Sequence, residues 1–166
     1  MTARDTLYIV VCAAPAARKV QDLVVLAQDA MWDTCVIATP QALKFLDVTL
    51  LEQLTGHPVR SEYKHPDEPD VLPRADAIIV YPATFNTINK WALGITDTLA
   101  LGLLCEYLGL KKPILAAAHV SGGLDLHPIF LRNIAVLREW GIHVLFDPER
   151  KPGQDAVLNA LHKLME

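Results

Sequence analysis

Thr84, Asn86 and Thr87 are of types, and stand at spacings, that suit ligand chemistry. They follow an apolar run over residues 77–81 that reads as a buried strand. Pro-Ala-Thr-Phe-Asn-Thr then fills residues 82–87, a loop of small and polar residues at that strand's carboxyl end. A helical pattern starts near Ile88, with Trp91, Ile95, Leu99 and Leu103 on one face. Open α/β sheets bind ligands in the crevice at the carboxyl ends of their strands. The three polar residues stand where such a ligand would lie. They equally suit a plain capped helix start, with Asn86 or Thr87 as the N-cap.

Two earlier turns offer a place for an anion. Residues 13–17, Ala-Ala-Pro-Ala-Ala, follow a first apolar run and carry small side chains that let a ligand approach the backbone. Pro15 suits the first turn of the next helix, where its missing donor costs little. A helix N-terminus presents unpaired N–H groups and partial positive charge, so Ala14, Pro15 and Ala16 frame a phosphate site built mainly of backbone. Thr39 adds a hydroxyl at the end of the second strand, with Phe45 downstream.

These residues need a scaffold, and the chain alternates strand and helix to supply one. Residues 6–13 and 34–38 read as strands, the first as a central parallel one. Residues 18–31 read as an amphipathic helix with Val20, Leu23, Val24 and Ala27 inward. Thr39-Pro40 opens a second helix bearing Ala42, Leu43, Phe45 and Leu46. Residues 51–74 turn irregular, with a short strand at 59–63 and prolines at 66, 69 and 73 that exclude a helix. Further strands fall at 114–118 and 142–146, and a last helix at 154–164. Between them lies Ser121-Gly122-Gly123, a mobile loop. The fold class is α/β: a single doubly wound, Rossmann-like (flavodoxin-like) domain over residues 1–166 with a parallel sheet.

Composition narrows the function. The 166 residues are 52% hydrophobic and 20% charged, an apolar excess that suits buried parallel strands or subunit interfaces. A net charge of −4 argues against a nucleic-acid partner. No apolar run approaches a membrane span, and Arg4-Asp5 breaks any signal-peptide pattern. Three widely spaced cysteines suggest reduced thiols in a cytoplasm, with neither a disulfide framework nor a metal site.

The motif at residues 82–90, Pro-Ala-Thr-Phe-Asn-Thr-Ile-Asn-Lys, with Gly94-Ile95-Thr96-Asp97-Thr98-Leu99 after it, resembles the flavin-binding signature of the homo-oligomeric flavin-containing cysteine decarboxylases. Thr39, Ala42 and Phe45 match a second family pattern, and His127-Pro128-Ile129-Phe130 with Asn133 matches the start of a family helix. The resemblance implies FMN as cofactor. It assigns cofactor contacts to Ala14, Pro15, Ala16, Thr39, Phe45, Pro82, Ala83, Thr84, Asn86, Thr87 and Asp97. It also implies oxidation of a cysteine to a thioaldehyde, then loss of carbon dioxide to an enethiol, with the cofactor carrying the redox step. His65 is the nearest match to the family's histidine base, and His119 is a second candidate. The family's Pro-x-Met-Asn substrate clamp is absent, which leaves Ser121, Gly122 and Gly123 as the substrate-binding loop. The implied partners are a cysteine-containing peptide or small molecule and further copies of the chain, as a homotrimer or homododecamer. The subunit contact is expected on the exposed side of the signature helix, around Trp91, Thr96 and Asp97. The alternative is an FMN-binding protein of this fold with another redox reaction or a regulatory role.

Overall fold

A computed structural model describes residues 3–166. Its strands are β1 (Thr6–Val11), β2 (Asp33–Ala38), β3 (Ala77–Ala83), β4 (Ile114–Ala118) and β5 (His143–Leu145). Its helices are α1 (Val20–Asp29), α2 (Val48–Thr55), α3 (Phe85–Ala92), α4 (Leu99–Gly109), α5 (Pro128–Glu139) and α6 (Gln154–Met165). Short 3-10 turns occupy Pro15–Lys19, Pro40–Phe45 and Leu124–Leu126. The five strands are parallel, in the order β2-β1-β3-β4-β5. That is the flavodoxin-like doubly wound order.

Side-chain alternation explains the two layers. In β1, Leu7, Ile9 and Val11 face one side, packed with Val20, Leu23, Val24 and Ala27 of α1 and with Val157 and Leu161 of α6. Tyr8 and Val10, with Cys12 just past the strand, face the other, with Ile88 and Trp91 of α3, Leu104 of α4 and Phe130 and Ile134 of α5. All six β1 residues are buried, as a strand covered on both faces requires. Each fully buried Ile or Leu contributes about 1.5–3 kcal/mol of transfer free energy.

Several local expectations change. The signature region is two helices, since Gly94 turns left-handed (φ +71°) after α3 and Thr98 caps α4 by accepting a hydrogen bond from Leu101 N–H. Ile95 is therefore exposed rather than part of a continuous inner face. Trp91 is 1% exposed and belongs to the core, so it cannot sit on an outward contact surface. Pro82 and Ala83 belong to β3, so the helix starts earlier and its N-cap is Thr84 rather than Asn86 or Thr87. Thr39-Pro40 opens a 3-10 turn, and α2 begins separately at Val48 under an Asp47 cap. Residues 59–63 form no strand; Arg60 makes a single bridge to Ile37.

The positive φ at Gly94 generates a test. Gly94→Ala forces a side chain into a left-handed turn and should lower unfolding free energy by about 1 kcal/mol or more. Gly109→Ala, in open space within α4, should raise it by about 0.4–1 kcal/mol. Urea denaturation reads both. A neutral Gly94→Ala would mean the α3–α4 link does not hold this turn.

Candidate functional site

The strand order reverses between β1 and β3, and their carboxyl ends stay tied together there. Cys12 N–H donates to the Pro82 carbonyl oxygen at 3.2 Å, Thr39 N–H to Val11 at 2.9 Å, and His119 N–H to Ala83 at 2.9 Å. Four strand ends are thus laced into one edge. The Tyr81–Pro82 peptide is cis. The Thr84 hydroxyl oxygen accepts from Thr87 N–H at 3.4 Å and its O–H donates to the Thr87 hydroxyl at 3.3 Å. Both hydroxyls lean on the Cys12 thiol. Burial pushes that thiol's pKa up, more than those contacts lower it, so it stays protonated and inert. Thr84 and Thr87 therefore spend their polar groups internally. Asn86 is exposed, and no hydrogen bond engages its side chain among the described residues.

The first two turns lie side by side. Ala14 caps the Pro15–Lys19 turn in an extended conformation. Pro15 has no N–H, and Ala17 N–H returns to the Ala14 carbonyl, so Ala16 carries the unpaired donor of this turn. Thr39 caps the next turn, its hydroxyl oxygen accepting from Ala42 N–H at 3.3 Å. The Arg18 guanidinium carbon lies 5.5 Å from the centroid of the Phe45 ring. Arg18 escaped the sequence reading because this contact joins two separate turns. Its one signal was a cation soon after a small-residue turn. Small side chains, a free N–H, a cation and a half-buried aromatic ring together suit an anionic ligand with a planar ring, and these residues fit a flavin nucleotide.

The remaining candidates are spread more widely. His119 follows β4, with its ring edge-on to Tyr81 at 5.0 Å. Its Nε2 lies 2.9 Å from the Pro152 carbonyl oxygen, which only accepts, so Nε2 carries the proton and Nδ1 keeps its lone pair. Burial lowers its pKa below the usual 6.5 and outweighs the Pro152 hydrogen bond. Ser121, Gly122 and Gly123 are exposed, and both glycines adopt positive φ. His65 sits in the irregular segment after α2 and keeps to it: its Nδ1 accepts from Asp67 N–H and its own N–H donates to the Glu68 carboxylate. Asp97 lies in the α3–α4 link, paired with Lys90 at 2.7 Å. Lys90 stands in the sequence motif, but its role as the tie to Asp97 appears only in the fold. Among the described residues no cluster of metal-ligating side chains forms, and no helix is long and apolar enough to cross a membrane.

A family model described as Flavoprotein matches residues 2–164. A cysteine/cysteine sulfinic acid decarboxylase from an unknown prokaryotic organism is 33% identical over 87 residues, 52% of this chain and 22% of that protein. The coenzyme A biosynthesis bifunctional protein CoaBC of Mycolicibacterium smegmatis is 28% identical over 149 residues, 87% of this chain and 35% of that protein. The chain thus spans well under half the length of either curated relative. Among solved structures, a PPC decarboxylase mutant complexed with pantothenoylaminoethenethiol superposes with a TM-score of 0.81 at 19% identity, covering 98% of both chains. The cypemycin decarboxylase CypD superposes at 0.78 with 24% identity, covering 96% of this chain and 92% of that one. These two likenesses show the fold.

The lowered His119 pKa sets a pH dependence. The folded ring is neutral, while the unfolded ring takes a proton near its ordinary 6.5. Stability from this site is present above 6.5 and is lost as pH falls from there toward the lower folded value. Between about pH 7 and pH 5, the wild-type melting temperature should therefore drop more than that of His119→Gln. Parallel curves would contradict a depressed pKa at this position.

Proposed function

This chain belongs to the flavoprotein family, and we propose that it binds FMN at the carboxyl ends of β1, β2 and β3 and oxidatively decarboxylates the C-terminal cysteine of a peptide. The observation that carries this reading is the lacing of strand ends where the sheet order reverses. There the Ala16 N–H and Arg18 stand near Thr39 and Phe45, beside the Pro82–Thr87 stretch. Ala14, Pro15, Ala16 and Thr39 would hold the phosphate, with Arg18 balancing its charge. Phe45, Pro82, Ala83, Thr84 and Thr87 would wall the ring, and Asn86 would hydrogen-bond it. Asp97, fixed by Lys90, would complete the pocket. In support, three of the similar proteins are named as decarboxylases, one of them of cysteine.

A bound flavin would supply the two-electron oxidation. The chain supplies binding, a base and a carboxylate anchor. His119 is neutral with Nδ1 free, so it can take a proton; His65 is the second candidate base. Ser121 and the backbone of Gly122 and Gly123 would receive the substrate carboxylate, since glycine lets a ligand approach the main chain. In balance, the oxidation would take one hydrogen with its electron pair from the cysteine's Cβ and the proton from its thiol, the Cα–carboxylate bond would then break as carbon dioxide leaves, and the sulfur would regain a proton to give the enethiol. The second reading, an FMN protein with another redox reaction or a regulatory role, is favoured by one feature. The exposed 121–123 turn offers no amide side chain for a carboxylate.

Partner copies would meet at the α3–α4 link, where Leu93 is 62% and Ile95 38% exposed beside Thr96 and Asp97. Sedimentation should show a trimer or dodecamer, and a monomer at micromolar concentration would contradict this contact.

FMN-loaded protein should convert peptides ending in cysteine to products lighter by about 46 mass units, the sum of carbon dioxide and two hydrogens. His65→Ala and His119→Ala, assayed separately, identify the base by a loss of about tenfold or more in turnover. If neither slows the reaction, both assignments fall. If flavin-loaded protein leaves every such peptide unchanged, the second reading replaces the first.

A further inference from the structure

A second cleft, away from the laced strand ends, has a preformed and charged lining that the proposed flavin site does not use. It lies between α4 and the irregular segment 60–74, and its volume is about 400 Å³. Ligand pockets start near this size, at roughly 300 Å³. The cleft exists because the β2-to-β3 crossover is not helical on this side. Pro66, Pro69 and Pro73 break any helix there, so an irregular segment rather than a helix covers this part of the sheet, and the cleft opens between it and α4, with the buried Tyr8 of β1 and Ile37 of β2 in its lining. Tyr63, Val71 and Leu110 remain 54%, 48% and 53% exposed around it, a cluster rather than scattered apolar residues.

The walls are held by tyrosine hydroxyls. Tyr63 O–H donates to the Thr96 carbonyl at 2.9 Å and Tyr8 O–H to the Pro73 carbonyl at 2.7 Å, while the Tyr107 hydroxyl accepts from Ala75 N–H at 3.0 Å. All three rings line the cleft. Gly102 lets Tyr63 lie against α4, because a Cβ there would stand 2.1 Å from the Tyr63 hydroxyl oxygen. A segment without helix or strand is thus pinned in three places, and a ligand would find the cleft already shaped.

Charge decides the ligand. Lys64 and Asp70 pair at 3.1 Å. Arg60 and Arg74 line the cleft and form no ion pair among the described residues, and Glu106 is the remaining carboxylate. Arg60 gives one bond, to the Glu62 carbonyl at 3.1 Å. Two guanidinium groups beside leucine, valine and tyrosine surface match a molecule with one carboxylate and an apolar body. We propose that this cleft binds a small amphipathic monocarboxylate, its body against Leu99, Leu103 and Tyr107 and its carboxylate on Arg60 and Arg74. The site stands whether or not the flavin reading holds.

Octanoate is a suitable probe, with octanol as its uncharged match, titrated calorimetrically into the full chain. Octanoate should bind in the millimolar range or tighter, and octanol at least about tenfold more weakly. Arg74→Gln and Arg60→Gln should each weaken octanoate about tenfold while leaving octanol unchanged. Gly102→Ala, which pushes the Tyr63 hydroxyl and ring edge off α4, should weaken both probes alike. The proposal is overturned if octanoate fails to bind at about 10 mM, if octanol binds as well as octanoate, or if both arginine variants that melt like wild type bind like wild type. A cleft closed by a second copy of the chain would give the first of these results.

Discussion

Backbone N–H and C=O groups buried between two helical layers must find partners. In this chain that pairing continues past the ends of the strands. The Cys12, Thr39 and His119 amides donate to Pro82, Val11 and Ala83, so the residues leaving each strand are fixed to the neighbouring one. The turns at the carboxyl edge inherit the precision of the sheet. Small residues at 13, 14 and 16 leave the backbone accessible, and caps by Thr39 and Thr84 set where each turn begins. The Cys12 thiol is buried beside Thr84 and Thr87 and, with its pKa raised by burial, holds no charge of its own.

The two faces of the sheet are not covered alike. One is closed by α1, α2 and α6, the other by α3, α4 and α5 with the 60–74 segment where a crossover helix would lie. That replacement has two consequences. It strands His65 on a proline-rich segment bonded within itself, and it opens the cleft beside α4. Tyr63 connects this region to the α3–α4 link through Thr96, next to the Lys90–Asp97 pair. The link, rather than either helix, is where the exposed apolar and charged residues of the signature gather.

Much of this was legible because the signals are local. Continuous apolar runs gave β1, β3 and β4, since strands buried on both faces need no polar alternation. Helical spacing gave the inner face of α1 residue for residue. The errors share a cause as well. Pro82 and Ala83 read as the start of a loop, yet they are the last residues of a buried strand, where Cys12 N–H needs only the Pro82 carbonyl. The apolar period from Trp91 to Leu103 ran straight through Gly94, whose left-handed turn splits the helix. Arg18 on Phe45 and Tyr8 on Pro73 join residues far apart in the chain, and no local pattern encodes such contacts.

The most direct measurement is titration of purified protein with FMN, followed by flavin absorbance and fluorescence, in wild type and Asn86→Asp. The account predicts a saturable flavin complex, weakened about tenfold or more when a negative charge replaces the free amide of Asn86 beside the ring. A wild-type protein that shows no flavin band even with FMN added, or an Asn86→Asp variant that binds as tightly as wild type, would contradict a flavin seated on the Pro82–Thr87 edge.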